Sequence, residues 1–240
     1  MKDVLKRRSV FCPHLRGKQY GEEEGFMLPV DDGLFADTFS DDSVYKFIGQ
    51  ELKISQVFSA NLGVAAPVWD AALHLCRYFE ENSLNLKGKR IIELGAGTGI
   101  VGILAARLGA DVTLTDLPLA VPQLQSNVSA NMPSSGWPSV APSVLPLSWG
   151  QDQHIFPMDW DLVLGADIVY LSETYPLLLD TLVHLCKDRA VVYLSSKMRE
   201  EHGTPGFYGD TLPQRFHVKL EHRDPTQNIN IYSATLRGKQ

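Results

Sequence analysis

The chain has 240 residues, 44% hydrophobic and 21% charged, a balance typical of one globular domain with a sizeable core. Its formal net charge of -6 argues against a general nucleic-acid-coating role, because phosphate binding favours a basic protein face. The three cysteines are widely spaced and form no CxxC pair, which argues against a disulfide framework and a zinc site and fits a reducing compartment.

The first predicted segment, residues 1–33, mixes charged residues with glycine. This composition predicts a flexible N-terminal extension, so the folded domain is assigned to residues 34–240. No apolar run in the sequence approaches the length needed to span a bilayer, and no signal peptide is visible. We therefore expect a cytoplasmic protein that does not contact membranes.

Two short extended runs follow, at residues 44–48 and 51–58, separated by a glycine-containing pair. This spacing predicts a β-hairpin. Pro67 then stands where a helix could begin, since proline is favoured in the first helical turn. From Val68 onward apolar residues recur at helical spacing, which predicts an amphipathic helix.

The remainder of the chain alternates strands with helices, which is typical of α/β proteins. We predict strands at residues 90–94, 111–115, 143–147, 160–166 and 190–195, and a closing pair at 216–221 and 230–235. We predict helices at residues 100–108, 173–186 and, opened by Pro118, 118–131. The expected fold class is therefore α/β: a Rossmann-like, doubly wound seven-stranded sheet, mostly parallel with an antiparallel edge strand, plus the N-terminal β-hairpin.

A glycine-rich turn, Gly95, Ala96 and Gly97, connects the strand at 90–94 to an apolar helix. A strand that ends in glycines lets a ligand approach the backbone closely. Asp116 closes the next strand, near the offset of roughly 20 residues at which an acidic side chain binds ribose hydroxyls. The order of these features predicts a nucleoside site. The alternatives are a plain tight turn and an exposed carboxylate at a strand end.

The glycine spacing also bears on the kind of nucleoside. The pattern is GxGxG, whereas proteins that bind a dinucleotide pyrophosphate carry GxGxxG. Glu93 lies just ahead of the glycines, where a carboxylate would repel phosphates but would suit an ammonium group. S-adenosylmethionine has a ribose, an α-amino group and a cationic sulfonium, and no phosphate. The charge pattern therefore predicts S-adenosylmethionine as the cofactor.

Further motifs occur at residues 63–71, 93–99, 115–118, 147–150, 164–170 and 196–199. With them, the chain from about residue 34 to its end resembles the seven-β-strand protein-lysine methyltransferases of the methyltransferase-like 21 group. The block Asp167-Ile-Val-Tyr170 is the most specific, because it resembles the DxxY signature of lysine-directed members. The resemblance implies methyl transfer from S-adenosylmethionine to a lysine of a protein, and it points to translation elongation factor 1-alpha as that partner.

The resemblance also implies roles for individual residues. Gly95, Ala96 and Gly97 would form the cofactor loop, and Asp116 would hold the ribose. Trp69 would cover the cofactor and Trp149 would lie beside the adenine; packing in the core is the alternative for both. Ala166 is small and would leave room beside the reacting group, or it would simply fill the strand.

Asp167 and Tyr170 are the candidate catalytic residues. Methyl transfer to an amine is an in-line displacement, so the enzyme must mainly position the lysine nitrogen and exclude water. Asp167 could accept a hydrogen bond from the lysine, and Tyr170 could supply an aromatic wall or a hydroxyl contact. Because a carboxylate favours the charged ammonium, Asp167 is assigned to capture and orientation rather than to a base. The alternative is a cap for a helix starting near residue 172.

Two other functions stay open: a methyltransferase of a small molecule or nucleic acid, and an inert interaction module that binds S-adenosylmethionine. The DxxY block argues against the first, as does the lack of an Asn-Pro-Pro-Tyr-type sequence. The intact glycine turn and Asp116 argue against the second. The seven histidines show no metal-ligand spacing, so we expect no metal. We also expect a monomer that does not bind nucleic acid directly.

Overall fold

The computed structural model describes residues 39–59, 62–132 and 141–238. The predicted extension, residues 1–33, lies outside these described residues. Within them, no helix is both long enough and apolar enough to cross a membrane.

An antiparallel β-hairpin comes first, formed by β1, Phe39–Phe47, and β2, Gln50–Phe58. The two turn residues, Ile48 and Gly49, both have positive φ, of 51° and 70°. That geometry matches the twist of a two-residue hairpin turn. The predicted hairpin is thus confirmed, and alternate residues of β2 are buried against the rest of the molecule.

Seven further strands of the described part of the chain form the main sheet. They are β3 (Arg90–Leu94), β4 (Asp111–Asp116), β5 (Ser143–Pro146), β6 (Leu162–Ala166), β7 (Val191–Lys197), β8 (Phe216–Asp224) and β9 (Ile229–Leu236). Their order is β5-β4-β3-β6-β7-β9-β8. The first five are parallel to one another, whereas β9 is antiparallel to both β7 and β8. The predicted mostly parallel sheet with antiparallel pairing at one edge is confirmed.

Within the described residues, five α-helices accompany the sheet. They are α1 (Asp70–Glu81), α2 (Ile100–Arg107), α3 (Val121–Asn131), α4 (Tyr175–Leu185) and the single turn α5 (Thr204–Gly206). Short 3₁₀ turns at Ser172–Thr174, Glu200–His202 and Leu212–Gln214 and a π-helical turn at Phe207–Thr211 were not predicted.

Two predicted helix starts are wrong. Pro118 does not open α3, because it lies inside a turn closed by a bond from the amide of Ala120 to the carbonyl of Leu117 at 2.9 Å. Proline is favoured both at the second position of such a turn and in the first turn of a helix. In α3 the proline of the first helical turn is Pro122. Pro67 likewise precedes a loop residue, Val68, whose amide donates to Gln56 at 2.8 Å.

A core cluster covers each face of the sheet. The first cluster joins the hairpin to α1, α2 and α3, and the second joins α4 to the segment around Phe207. Neighbouring residues of β3 point into different clusters, Ile91 into the first and Ile92 into the second. Both faces of the central strands are therefore buried, as a doubly wound sheet requires.

Candidate active site

A cavity of about 570 Å³ opens where β3, β4 and β6 end. Ligands of doubly wound sheets bind at this carboxyl edge. All ten site residues predicted from the sequence line the cavity: Trp69, Glu93, Gly95, Ala96, Gly97, Asp116, Trp149, Ala166, Asp167 and Tyr170. The cavity walls also include Arg199, from the motif at residues 196–199, and His202; the sequence assigned neither residue an individual role.

The glycine turn after β3 has a left-handed backbone, with φ of 58° at Gly95, 55° at Gly97 and 82° at Gly99. Side chains other than glycine rarely adopt this conformation. A Cβ on Gly95 would also stand 2.7 Å from Cγ2 of Ile168. At Gly97 the nearest atom would be the carbonyl oxygen of Ala65, at 3.4 Å. Glycine is therefore required at Gly95 for both conformation and space, and at Gly97 mainly for conformation.

Asp116 ends β4 at the cavity wall. Its Oδ2 accepts a hydrogen bond from the amide of Gly97 and its Oδ1 accepts one from the amide of Leu117, both at 2.7 Å. Burial raises the pKa of this carboxyl, and the two backbone hydrogen bonds oppose that shift. Each oxygen keeps a lone pair for a ligand hydroxyl, since a carboxylate oxygen can accept two hydrogen bonds.

Glu93 is only 2% exposed, and its Oε2 accepts a hydrogen bond from the amide of Gly102 at 2.8 Å. Burial raises the pKa of Glu93 to about 8; the Gly102 amide lowers it, and the nearby charge of Asp116 raises it. A buried acid of this kind favours a cationic partner, because an ammonium group would stabilise its ionised form.

Gly102 supports the site and was missed by the sequence analysis. A Cβ at this position would stand 2.5 Å from Oε2 of Glu93 and 2.6 Å from Cδ2 of Leu114. A signal was available, because glycine inside a helix is disfavoured and so indicates a close contact. Gly102 lies within α2, where its missing side chain makes room for the carboxylate.

Two tryptophans border the cavity with different degrees of burial. Trp69 caps the start of α1, is 38% exposed, and donates from Nε1 to the carbonyl oxygen of Val64 at 2.8 Å. It is therefore not part of the buried face of that helix. Trp149 lines the cavity and also packs against the second core cluster. Trp149 is therefore both a wall of the cavity and a residue packed against the core.

Asp167 lies one residue beyond β6, with a φ of 55° and a side chain that is 4% exposed. Arg199 donates to it through both terminal nitrogens, Nη1 to Oδ1 and Nη2 to Oδ2, each at 2.8 Å. The amide of Lys197 donates to Oδ1 at 3.1 Å. The 3₁₀ turn and helix that follow begin without a side-chain cap, so the structure does not support the helix-cap alternative.

Tyr170 and Ala166 line the same cavity as this carboxylate. The pKa of Tyr170 is raised by burial and then by the charges of Asp116 and Asp167, so its phenol is neutral at physiological pH. Ala166 is the last residue of β6, where its small side chain leaves the cavity open. No group of histidine, cysteine, aspartate or glutamate side chains that could hold a metal ion occurs in the part of the chain that the structure describes.

The chain is similar to known proteins over most of its length. A family model described as lysine methyltransferase matches residues 46–208. The chain belongs to this family. It is 59% identical over 210 residues to EEF1A lysine methyltransferase 3 of Xenopus tropicalis, covering 87% of this chain and 92% of that protein. It is 46% identical over 191 residues to protein N-lysine methyltransferase METTL21A of Danio rerio, covering 79% and 85%.

Solved structures share the fold. A T. thermophilus 16S rRNA methyltransferase in complex with S-adenosylmethionine and guanosine has a TM-score of 0.56 and 18% identity, covering 82% of this chain and 51% of that one. At this identity the likeness shows the fold alone. Family membership confirms two predictions made from the sequence, namely protein-lysine methyl transfer and S-adenosylmethionine as the cofactor.

Proposed function

We propose that this lysine methyltransferase acts on translation elongation factor 1-alpha, and that its catalytic centre is the cavity at the carboxyl ends of β3, β4 and β6. The choice of substrate rests on the 59% identity to a relative whose name states that activity. The choice of site rests on one observation: the carboxylate of Asp167 shares a cavity with those of Asp116 and Glu93.

The cofactor end of the cavity is proposed to be the glycine turn with its two acids. A volume of about 570 Å³ suits a ligand of nucleoside size. Asp116 would accept hydrogen bonds from the ribose hydroxyls, and Glu93 would pair with the α-ammonium group. The ring of Trp149 would lie against the adenine, since bases stack on aromatic faces. When bound, S-adenosylmethionine supplies a methyl group on its sulfonium, which the lysine lone pair takes as the carbon–sulfur bond breaks.

The lysine end is proposed to be Asp167 with Tyr170, and Trp69 is proposed to cover the cofactor next to it. Oδ2 of Asp167 accepts one hydrogen bond from Arg199 and retains a lone pair for the lysine nitrogen. The Tyr170 ring would enclose the aliphatic part of the lysine, and together with Trp69 over the cofactor it would keep water away from the lysine nitrogen. Methyl transfer needs little beyond this alignment and exclusion of water.

A protein substrate is also favoured by the surface around the cavity. Five lining residues are large, apolar and at least 38% exposed: Val64, Trp69, Leu117, Leu171 and Leu177. Exposed apolar residues grouped at one opening are typical of protein interaction sites. We propose further that residues 34–240 form the catalytic domain, and that it works as a cytoplasmic monomer without binding nucleic acid or membranes.

The test is methyl transfer from a labelled donor to purified elongation factor 1-alpha, followed by mass spectrometry of the product. The wild type should label one lysine, and Asp167→Ala should be slower by about 100-fold or more, as lost positioning can cost that much. Asp188→Ala, an exposed carboxylate after α4, is the matched control and should act normally. Label in a different protein of a cell extract would overturn the substrate, and label in small molecules alone would overturn the function.

A further inference from the structure

The carboxylate proposed to orient the substrate lysine is already paired with a cation. The two charged groups meet in a bidentate contact, with both nitrogen–oxygen distances at 2.8 Å. Asp167 is 4% exposed and Arg199 18%, so water screens this pair much less than a surface ion pair. The guanidinium carbon of Arg199 also lies 5.6 Å from the ring centre of Trp69, a cation–π distance that holds it in place.

Only one acceptor position of the Asp167 carboxylate remains for the substrate. Oδ1 accepts from Nη1 of Arg199 and from the amide of Lys197, which uses both of its lone pairs. Among the residues that the structure describes, only Nη2 of Arg199 donates to Oδ2. The lysine nitrogen would therefore approach Oδ2 while the guanidinium stays in contact with the same carboxylate.

This arrangement resolves a conflict in the chemistry of the site. A lysine nitrogen attacks only when it is neutral, yet a lone carboxylate raises the pKa of an ammonium group beside it. The charge of Arg199 cancels that of Asp167, and the guanidinium itself repels a second cation. Its own charge is secure, because the hydrogen bonds to Asp167 raise the pKa of Arg199.

Resting on the proposed function, we propose that Arg199 is a positioning residue that acts through Asp167: it neutralises the carboxylate so that the substrate lysine binds as the free amine. The proton lost by the lysine goes to solvent water. The amine keeps its lone pair for the methyl group, and it donates one N–H to Oδ2 of Asp167, which fixes its direction. No further reactant is required.

Other ionisable groups face the same position and must be separated from the pair. Asp116, Glu93, Tyr170 and His202 line the cavity. The charge of Asp167 also acts on Tyr208, whose hydroxyl is hydrogen-bonded to that of Ser196, and the charge of Glu201 acts on Arg199. Saturating cofactor keeps the contributions of Asp116 and Glu93 the same in every variant, because both would be engaged before the lysine arrives. His202→Gln is the control for the histidine, because it removes an ionisable side chain from the cavity wall.

The test is the pH dependence of single-turnover methylation of elongation factor 1-alpha at saturating cofactor, in a cycle of charge changes. Arg199→Gln leaves a net negative site, so the acidic limb of its profile should move up by one pH unit or more, a tenfold or greater loss near pH 7. Asp167→Asn leaves a net positive site, so its limb should move down although its maximum rate is lower. The double variant restores neutrality, and its limb should return towards that of the wild type.

Opposite shifts in the single variants with cancellation in the double variant support the inference. If the limbs of both single variants move in the same direction, or neither moves, the inference is overturned, and the ion pair of Arg199 and Asp167 has only a structural role. Arg199→Lys keeps the positive charge, so its acidic limb should stay at the wild-type pH, whereas its maximum rate should fall. His202→Gln should leave the limb in place; a shift as large as that of Arg199→Gln would reassign the limb to the histidine.

A second readout needs no altered enzyme and no turnover. Binding of elongation factor 1-alpha to the wild type loaded with S-adenosylhomocysteine can be measured by calorimetry at pH 7.5 in two buffers of different ionisation enthalpy. The difference between the two buffers gives the number of protons released on binding. We expect about one proton released, and none when the acceptor lysine is replaced by methionine. If the wild-type factor and its lysine-to-methionine variant release the same number of protons, the inference is overturned. If the wild type does not methylate the factor at all, the proposed substrate fails instead, and the two failures stay distinct.

Discussion

At the scale of single residues, the cavity holds two acids on adjacent strands in different surroundings. Asp116 accepts two amide hydrogen bonds that keep its carboxylate aimed into the cavity. Glu93 accepts one and is buried more deeply. The first is thus prepared for uncharged hydroxyls and the second for a cation, which matches the ribose and the ammonium of one cofactor.

Replacing Asp116 with alanine should weaken binding of S-adenosylhomocysteine by about 1.5–3 kcal/mol, the size of hydrogen bonds to a charged acceptor. Calorimetric titration measures this loss. Asp111→Ala, at the other end of the same strand and exposed, is the matched control and should bind normally. Unchanged affinity in Asp116→Ala would move the ribose contact to another residue.

Glu93 should make the stability of the cofactor-free protein depend on pH. Its pKa rises from an ordinary 4.5 to about 8 on folding, because it is buried. Between these values the folded protein keeps a proton that the unfolded chain releases, so the free energy of unfolding falls as pH rises. The slope approaches about 1.4 kcal/mol per pH unit.

Urea unfolding of wild type and Glu93→Gln from pH 5 to 8 measures this slope. Glutamine has no proton to release, so the variant should lose less stability over the same interval. Glu81→Gln, an exposed position at the end of α1, should behave as the wild type does. Parallel curves for wild type and Glu93→Gln would show that Glu93 is ionised throughout.

The residues predicted from sequence and those missed differ in what fixes them. Asp116 and the glycine turn were predictable, because strand, turn and acid follow one another at short, regular spacing. The pairing of Arg199 with Asp167 joins residues 32 apart in sequence, each just beyond the end of one of two neighbouring strands, β6 and β7. Only the sheet order brings them together, and local pattern does not contain that order.

At the scale of elements, the hairpin is attached to the domain by an amide ladder, which we define as Gln123, Asn127 and Asn131 of α3. These side chains lie four residues apart, on one face of the helix. Their carbonyl oxygens accept from the amides of Val57, Ser55 and Lys53 of β2 at 2.7, 2.9 and 2.8 Å. The ladder covers a strand edge that would otherwise expose unpaired amides.

Asn127→Ala should lower the free energy of unfolding by roughly 3 kcal/mol. The change removes two bonds to Ser55 and one to the carbonyl of Thr98, and it leaves partly buried backbone groups unpaired. Urea unfolding measures the loss. Ser129→Ala, exposed on the same helix, should change stability by less than about 0.5 kcal/mol. Equal effects of the two substitutions would contradict the role of the ladder.

The elements themselves were more predictable than their ends. Alternation of buried strands and apolar helices predicted the sheet, because periodicity reflects which face is buried. Helix starts were less certain, since proline serves a turn and a first helical turn equally well, as Pro118 and Pro122 show. The short turns between β7 and β8 have no period of their own, so no pattern in the sequence predicted them.

At the scale of the whole molecule, the cavity joins segments that are far apart in the chain. Its walls come from the loop before α1, the ends of β3, β4 and β6, and the segment after β7. A ligand that contacts all of these walls binds only the folded protein. Bound cofactor should therefore stabilise the described domain against unfolding as a unit.

S-adenosylhomocysteine at 100 times its Kd should stabilise the protein by about 2.7 kcal/mol, which raises Tm by roughly 5–10 °C for a domain of this size. NAD at the same concentration should leave Tm unchanged. Its pyrophosphate needs free amides at the glycine turn, but those of Ala96, Gly97 and Gly99 already donate within the protein. Two carboxyl groups also line the cavity where the phosphates would lie.

Thermal unfolding over a range of ligand concentrations separates specific binding from a general effect of solutes. Tm should rise with the logarithm of S-adenosylhomocysteine concentration, because the stabilisation follows mass action. Asp116→Ala should shift that curve to higher concentrations, whereas Asp111→Ala should leave it in place. A rise with NAD as large as that with S-adenosylhomocysteine would contradict the assignment of the two acids to ribose and ammonium, and would require the glycine turn to rearrange to free its amides.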